Sequence, residues 1–216
     1  PDPTHSKKRR MTMKTTLASG LMALTLAFGL GGTAVAQETA PAAAVELKDF
    51  SIGAPDAKVQ MTEYASFTCP HCANFHDTVF KVLKADYIDT GKVHFTYREV
   101  YFDRPGLWAA MIARCGGDMR YFGISDILFD TQKEWPASDD PAVIMENLKK
   151  IGRTAGMDDA AMDTCMKDAS TAQAMIDRSE ANMKADAVEG TPTLMINGVK
   201  HSNMSYADLK VILDEE

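Results

Sequence analysis

The chain has 216 residues, 45% of them apolar and 25% charged, with a formal net charge of −7. That length suits one compact domain or a domain with one insertion. The acidic balance disfavours nucleic acid or an anionic membrane surface as partner.

Residues 1–36 have the layout of a secretory signal: a basic stretch with Lys7, Lys8, Arg9, Arg10 and Lys14, an apolar run from Leu17 to Leu30, and Ala34-Val35-Ala36 ahead of Gln37. A membrane anchor is the alternative, but a run of about 14 residues falls short of the roughly 20 that span a bilayer. Cleavage after Ala36 and export are the expectation. Arg9-Arg10 gives a weak twin-arginine signal, and Met11 or Met13 fits equally well as the start, so Pro1 to Arg10 reads as an upstream extension. Loss of residues 1–36 removes five Lys or Arg and one Asp and takes the net charge from −7 to −11. Residues 37–49, rich in Ala with Pro41, read as a flexible lead-in.

Val59 to Tyr64 alternates, with Val59, Met61 and Tyr64 among Gln60, Thr62 and Glu63, and reads as a short strand. Cys69-Pro70-His71-Cys72 follows it. Phe75, Val79, Leu83 and Tyr87 then recur every four residues, with Val82 beside them, as the stripe of an amphipathic helix ending at Gly91. Cys69 therefore stands at a strand-to-helix junction, with Pro70 suited to the first turn. There the unpaired N–H groups and the positive end of the helix dipole favour a thiolate. A protonated His71 adds a second positive group, and thiols so placed have pKa values of roughly 3.5 to 7.5. Cys69 is the expected reactive thiol and His71 its tuning residue, which makes thiol–disulfide chemistry the first reading of the motif. A zinc half-site competes, because Cys-x-x-Cys also supplies two ligands of a tetrahedral site. Cys115 and Cys165 stand alone, with no Cys or His two to four positions away, so no second half is present and no metal is expected. An inert structural bridge is the remaining alternative.

Val93, Phe95 and Tyr97 alternate with His94, Thr96 and Arg98 as a second strand, which with the first helix makes a βαβ unit and implies a parallel pair. From Pro105 to Ala187 the pattern is wholly helical. Trp108, Met111, Ile112 and Cys115 share one face, and Ile124, Ile127 and Leu128 another. Asp140-Pro141 opens a helix carrying Ile144, Leu148 and Ile151, with Gly152 and Gly156 near its end. Met162, Cys165 and Met166 continue it, and Met175, Ile176 and Met183 line a last long helix. Strand signals return at Thr193 to Ile196, followed by the hairpin signal Asn197-Gly198 and Val199 to His201. Ser205 with Asp208 caps a terminal helix bearing Tyr206, Leu209 and Ile212. The domain boundaries expected from this order are 50–104 with 188–216 for an α/β domain and 105–187 for a helical insertion.

A reactive Cys-x-x-Cys after the first strand of a βαβ unit, then Thr-Pro ahead of a hairpin and final helix, resembles the thioredoxin fold. Cys-Pro-His-Cys and the helical insertion make the chain similar to DsbA-type thiol:disulfide oxidoreductases from about Phe50 onward. The specific pieces are Ser66-Phe67-Thr68-Cys69-Pro70-His71-Cys72, Tyr97-Arg98-Glu99 and Gly190-Thr191-Pro192-Thr193. The resemblance implies an α/β thioredoxin fold interrupted by an inserted all-helical domain. It implies a cis Pro192 against the active-site sulfurs, with the Thr191 backbone pairing to an extended substrate peptide; an ordinary trans Thr-Pro turn is the plain alternative. It also implies that Glu63 is the buried acid that takes the Cys72 proton, where the alternative is an exposed strand Glu. The family often carries a second acid four residues after the second Cys; here that position is His76, and Lys92 is a candidate neighbour of Glu63.

The expected function follows. A thiolate of a reduced, newly exported protein attacks Cys69 of the Cys69–Cys72 redox-active disulfide, Cys72 leaves, and a second substrate thiol resolves the mixed disulfide. The partners implied are such reduced proteins and a membrane quinone-linked reoxidant of the DsbB type, in the periplasm, with no other cofactor. A disulfide isomerase or reductase is the alternative within the same chemistry, and a metal-binding Cys-x-x-Cys module the alternative outside it. The short span between Gln37 and Val59 leaves no room for the added domain of dimeric isomerases, which argues for a monomer. Cys115 and Cys165, each on the apolar face of a helix in an exported chain, are expected to pair as a staple or as a modulator of the active-site potential; two buried free thiols are the other outcome.

Overall fold

The structure is a computed structural model that describes residues 45–216. The signal and cleavage expectations, and most of the lead-in, fall on residues outside the described ones. Strands β1 (Phe50–Ile52), β2 (Val59–Ala65), β3 (Val93–Glu99), β4 (Thr193–Ile196) and β5 (Val199–Ser202) form one sheet in the order β1-β3-β2-β4-β5. β2 and β3 are parallel, with Glu63 opposite Tyr97, and β4 lies antiparallel on the other side of β2, with Leu194 opposite Glu63. The alternation of Val93, Phe95 and Tyr97 with half-buried neighbours carries β3 between the two layers. β1, which the sequence reading does not anticipate, is three residues long and pairs antiparallel with β3. A segment that short holds too little alternation to be seen.

The helix that begins within Cys69-Pro70-His71-Cys72 runs without a break from Pro70 to Ile88, as α1 (Pro70–Phe75), a wider π turn (His76–Phe80), α2 (Lys81–Leu83) and a second π turn (Lys84–Ile88). A strict four-residue repeat drifts on an α-helix of about 3.6 residues per turn, and π turns take up that drift. Phe75, Val79, Leu83 and Tyr87 are accordingly all buried. Val82, which the stripe includes, is instead exposed, because it lies between two rows of that widened repeat.

Five helices separate β3 from β4: α3 (Arg104–Cys115), α4 (Tyr121–Asp130), α5 (Pro141–Thr154), α6 (Asp159–Met166) and α7 (Ala169–Ala185). Asp103, Asp140, Asp158 and Asp168 cap α3, α5, α6 and α7 through their carboxylates. Cys115 and Cys165 are joined in a disulfide between α3 and α6. At Gly152 a Cβ would stand 2.3 Å from the Met162 sulfur, so the glycine lets α5 and α6 close on each other. The helices and the sheet share one apolar core, in which Tyr121, Ile124 and Leu128 of α4 meet Phe67, Phe95 and Tyr97. Asn197 and Gly198, both at positive φ, make the two-residue turn between β4 and β5. Ser205 caps α8 (Tyr206–Glu215) through the Asp208 N–H.

Polar side chains lock the layers. Arg98 bonds Asp49 and Asp186, and Arg178 bonds the Leu47 carbonyl and Asp49, so residues 47–49 of the expected lead-in are tied to β3 and α7. Glu99 is buried and accepts from Arg114 and the Tyr121 hydroxyl. These contacts give Arg98 and Glu99 of the Tyr97-Arg98-Glu99 motif structural work, since a buried carboxylate needs both charge and hydrogen-bond partners.

Candidate active site

β2 leads into a loop that turns at Ser66, where the Cys69 N–H donates to the Ser66 carbonyl at 3.1 Å. Cys69 is the N-cap residue of α1 in extended conformation, and Pro70 takes the first helical position, where it loses no hydrogen bond. The N–H groups of Cys72 and Ala73 close the first turn on the Cys69 carbonyl. β4 is antiparallel to β2, so the start of β4 lies at the same end of the sheet as this loop and brings Thr191 and Pro192 to the motif. The Thr191–Pro192 peptide bond is cis. The Cys69 thiol donates to the Thr191 carbonyl oxygen at 3.5 Å.

The two sulfurs, both reduced in this structure, sit in unlike settings. A hydrogen bond from the Cys72 thiol holds the Cys69 pKa down to about 5; the Thr191 side chain and the backbone N–H groups of Cys72 and His71 add to this against the opposing effect of burial. Cys72 is fully enclosed, and burial pushes its thiol far above the ordinary range, with its bond to Cys69 and the charge of Glu63 acting in the same direction. The site therefore holds one thiolate at neutral pH, on Cys69. A thiolate there is the nucleophile that attacks a disulfide, and it is also the better leaving group from one.

Glu63 projects from the central strand with 4% exposure. Burial, and then the negative charge of Cys69, raise its pKa to about 8. Its side chain lines a narrow cavity with His76, Tyr97, Asp126 and a wall of Phe80, Phe95, Phe122 and Phe129. His71 is exposed on the outer side of the motif and reaches Cys69 through its backbone N–H. Lys92 does not approach Glu63: the Val59–Val93 register puts it five residues away down the sheet, and its ammonium lies over the Tyr87 ring. Cys69, Cys72, Thr191, Pro192 and Glu63 are thus brought to one end of the sheet, while Cys115 and Cys165 lie between α3 and α6.

Gln132, just beyond α4, donates from its side-chain amide to the carbonyls of both Phe67 and Cys69, each at 2.9 Å, and so fixes the loop that carries Cys69. Nothing in the sequence marks it, because a single Gln in a helical block some sixty residues downstream has no motif around it. Gly106 is a second support. A Cβ there would stand 3.2 Å from the Thr68 hydroxyl, so α3 packs against the same loop. Among the described residues no group of three or more His, Cys, Asp or Glu is placed to hold a metal ion.

Known proteins resemble this chain in sequence and in fold. Residues 46–215 match the thioredoxin family model. A Rickettsia bellii protein provisionally named a protein-disulfide oxidoreductase is 33% identical over 172 residues, which cover 79% of this chain and 65% of the relative; the chain thus spans about two thirds of its length. Disulfide bond formation protein D of Bacillus subtilis is 25% identical over 174 residues, covering 76% of this chain and 75% of that protein. Among solved structures, Wolbachia pipientis alpha-DsbA1 superimposes with a TM-score of 0.72 at 27% identity over 78% of this chain and 90% of that one. BdbD from Bacillus subtilis, at 20% identity, has the same fold with a TM-score of 0.67 over 77% and 91% of the two chains. By the match over residues 46–215 and the superposition on alpha-DsbA1, the chain belongs to the thioredoxin family and has the architecture of its DsbA-type members.

Proposed function

We propose that this chain is a thiol:disulfide oxidoreductase that donates its Cys69–Cys72 disulfide to reduced, newly exported proteins. The observation that carries the reading is the contrast between the two sulfurs: Cys69 is held as a thiolate near pKa 5 and Cys72 is buried as a thiol. A thiolate stabilised in the reduced form makes the corresponding disulfide oxidising, the relation for which DsbA is the general example. A drop from the ordinary 9 to about 5 favours the reduced state at pH 7 by at most about 100-fold, or about 60 mV for a two-electron couple, and by less where solvent screens the sulfur.

The exchange proceeds in two balanced steps. A substrate thiolate attacks Cys69, the Cys69–Cys72 bond breaks, and Cys72 departs as a thiolate that takes a proton from the Glu63 carboxyl. A second substrate thiolate then attacks the substrate sulfur of the mixed disulfide, and Cys69 leaves with the electron pair. Loss of the Cys69 charge in the mixed disulfide removes one of the two causes that keep Glu63 protonated. Glu63 is therefore readiest to exchange a proton with Cys72 at that stage. Thr191 and Pro192, beside Cys69, are the docking edge for the substrate backbone, and His71 tunes the thiolate. In this reading the signal-like residues 1–36 place the chain outside the cytosol, and a membrane quinone-linked protein of the DsbB type returns it to the disulfide form.

Trapping tests the scheme. With the remaining cysteine first activated as its mixed disulfide with thionitrobenzoate, a reduced, unfolded cysteine-containing protein should displace thionitrobenzoate from Cys72→Ser and accumulate as a mixed disulfide on Cys69, whereas Cys69→Ser, whose Cys72 is enclosed, should form none. Adducts formed equally on both cysteines, or no oxidation by the wild-type disulfide, would overturn it.

A further inference from the structure

We infer that His76 and Asp126 form the route by which protons pass between the buried Glu63 carboxyl and solvent. This rests on the thiol exchange proposed above, and it assigns a role to a histidine where an acid is usual. Glu63 on β2 has no exposed side of its own: Tyr97 lies opposite on β3, Leu194 opposite on β4, and the cysteines stand above it. Its one open side is the cavity it shares with His76, whose free core of about 10 Å³ is close to what a single water needs. In the proposed route one water, which that volume accommodates, bridges the carboxyl and the ring.

The imidazole is placed to carry the proton onward. His76 is 5% exposed, and its ring is held between the rings of Phe80 and Phe129, at 5.0 and 4.9 Å between centroids. Its Nε2 is buried without an aligned hydrogen bond, yet stands 3.2 Å from the Asp126 Oδ1. Asp126, on α4, is 47% exposed at the far end and opens on bulk water. The facing groups are few: Glu63 from β2, the unpaired Tyr97 hydroxyl from β3, Ser125 and Asp126 from α4, and no cation. His76 also begins the first π turn, a local widening that often accompanies a functional residue. Imidazole accepts and donates protons at neutral pH. When Cys72 attacks a mixed disulfide on Cys69, Cys72–SH gives its proton to the Glu63 carboxylate, the Cys72–Cys69 bond forms, and the partner leaves as a thiolate. As it does so the Glu63 proton passes to His76 and from there, by Asp126, to water, so that release of the partner waits on the relay. The opposite reaction runs the same path inward.

The test uses the Cys69–glutathione mixed disulfide of the whole protein and follows release of glutathione by acid quench. His76→Gln should slow release by about tenfold or more near neutral pH, with the roughly 10²–10⁴ that positioned acid–base groups contribute as the ceiling. Added imidazole should restore part of the rate in His76→Ala, and Asp126→Asn should slow release less. A relay changes rates and not equilibria, so the Cys69 thiolate titration and the equilibrium with glutathione should stay within about twofold of wild type in all three. Equal release rates in wild type and His76→Gln across the pH range would overturn the relay, as would slowing matched by an equal shift in equilibrium, which marks a structural role. If the His76 variants do not fold, the half-exposed Asp126→Asn decides alone, and an unchanged rate there sinks the route. An altered glutathione equilibrium in the wild type itself bears on the exchange reading and leaves the rate comparison intact.

Discussion

The Cys69 sulfur lies 3.5 Å from the backbone carbonyl oxygen of Thr191, and the Thr191 hydroxyl beside it is buried with no hydrogen-bond partner. That hydroxyl is therefore free to donate to Cys69 once the sulfur carries charge, and it is one of the groups that hold the thiolate down. Thr191→Val keeps the shape and removes the donor. We expect the Cys69 pKa to rise by about one unit, the size of one hydrogen bond to a charged group. Thiolate absorbance followed against pH measures it.

Gln132 supports the backbone that carries the same sulfur. Gln132→Ala removes both of its bonds, to the Phe67 and Cys69 carbonyls. The expected loss of stability is about 1–3 kcal/mol, with faster hydrogen exchange confined to the Ser66 to Cys72 loop. Denaturant unfolding gives the first quantity, and an unchanged midpoint would show that water replaces the amide without cost.

Glu63 sets a pH dependence whose sign is opposite to that of an ordinary ion-paired acid. Its folded pKa, about 8, lies above the ordinary value of 4.5, so unfolding releases a proton between those values and the fold loses stability as pH rises through that window. The full cost above pH 8 is on the order of 5 kcal/mol. Glu63→Gln carries no such cost and is expected to be markedly more stable than wild type near pH 8 and about equal near pH 4. The gain should be smaller in the disulfide form, where Cys69 has no charge. Unfolding curves at the two pH values check the sign.

The Cys115–Cys165 bridge closes a sequence separation of 50 residues between α3 and α6. By loop closure it contributes about 4 kcal/mol, so the double Cys→Ala variant should unfold at clearly lower denaturant with the Cys69 pKa unmoved. A shifted Cys69 pKa would mean that the bridge reaches the active site. Thiol titration of the denatured, oxidised protein should find no free thiol; two would contradict the bridge.

The chemistry of the site was largely legible in the sequence because it is local. Cys69 to Cys72 is one contiguous motif, and the strand and helix around it have clear periods, as do the Asn197-Gly198 hairpin and the Ser205 cap. What was hidden depends on long-range packing. Gln132, Gly106 and Asp126 reach the site only through the placement of α3 and α4, and no spacing rule connects them to Cys69. β1 escaped because three residues carry no readable alternation. The π turns escaped for a different reason: a four-residue repeat fits an α-helical stripe nearly as well, and only Val82 turning outward separates the two. Lys92 fails as a neighbour of Glu63 because strand register, which sequence does not set, puts it at the opposite end of the sheet.

The central claim is that the Cys69 thiolate makes the Cys69–Cys72 disulfide an oxidant. Equilibration with glutathione redox buffers at pH 7, read by the fraction of Cys69–Cys72 oxidised, measures this directly. The account predicts a potential well above the roughly −270 mV of thioredoxin, falling less steeply with pH above about 5, where reduction yields one thiolate and one thiol, than below it. A potential at or below that of thioredoxin would contradict it.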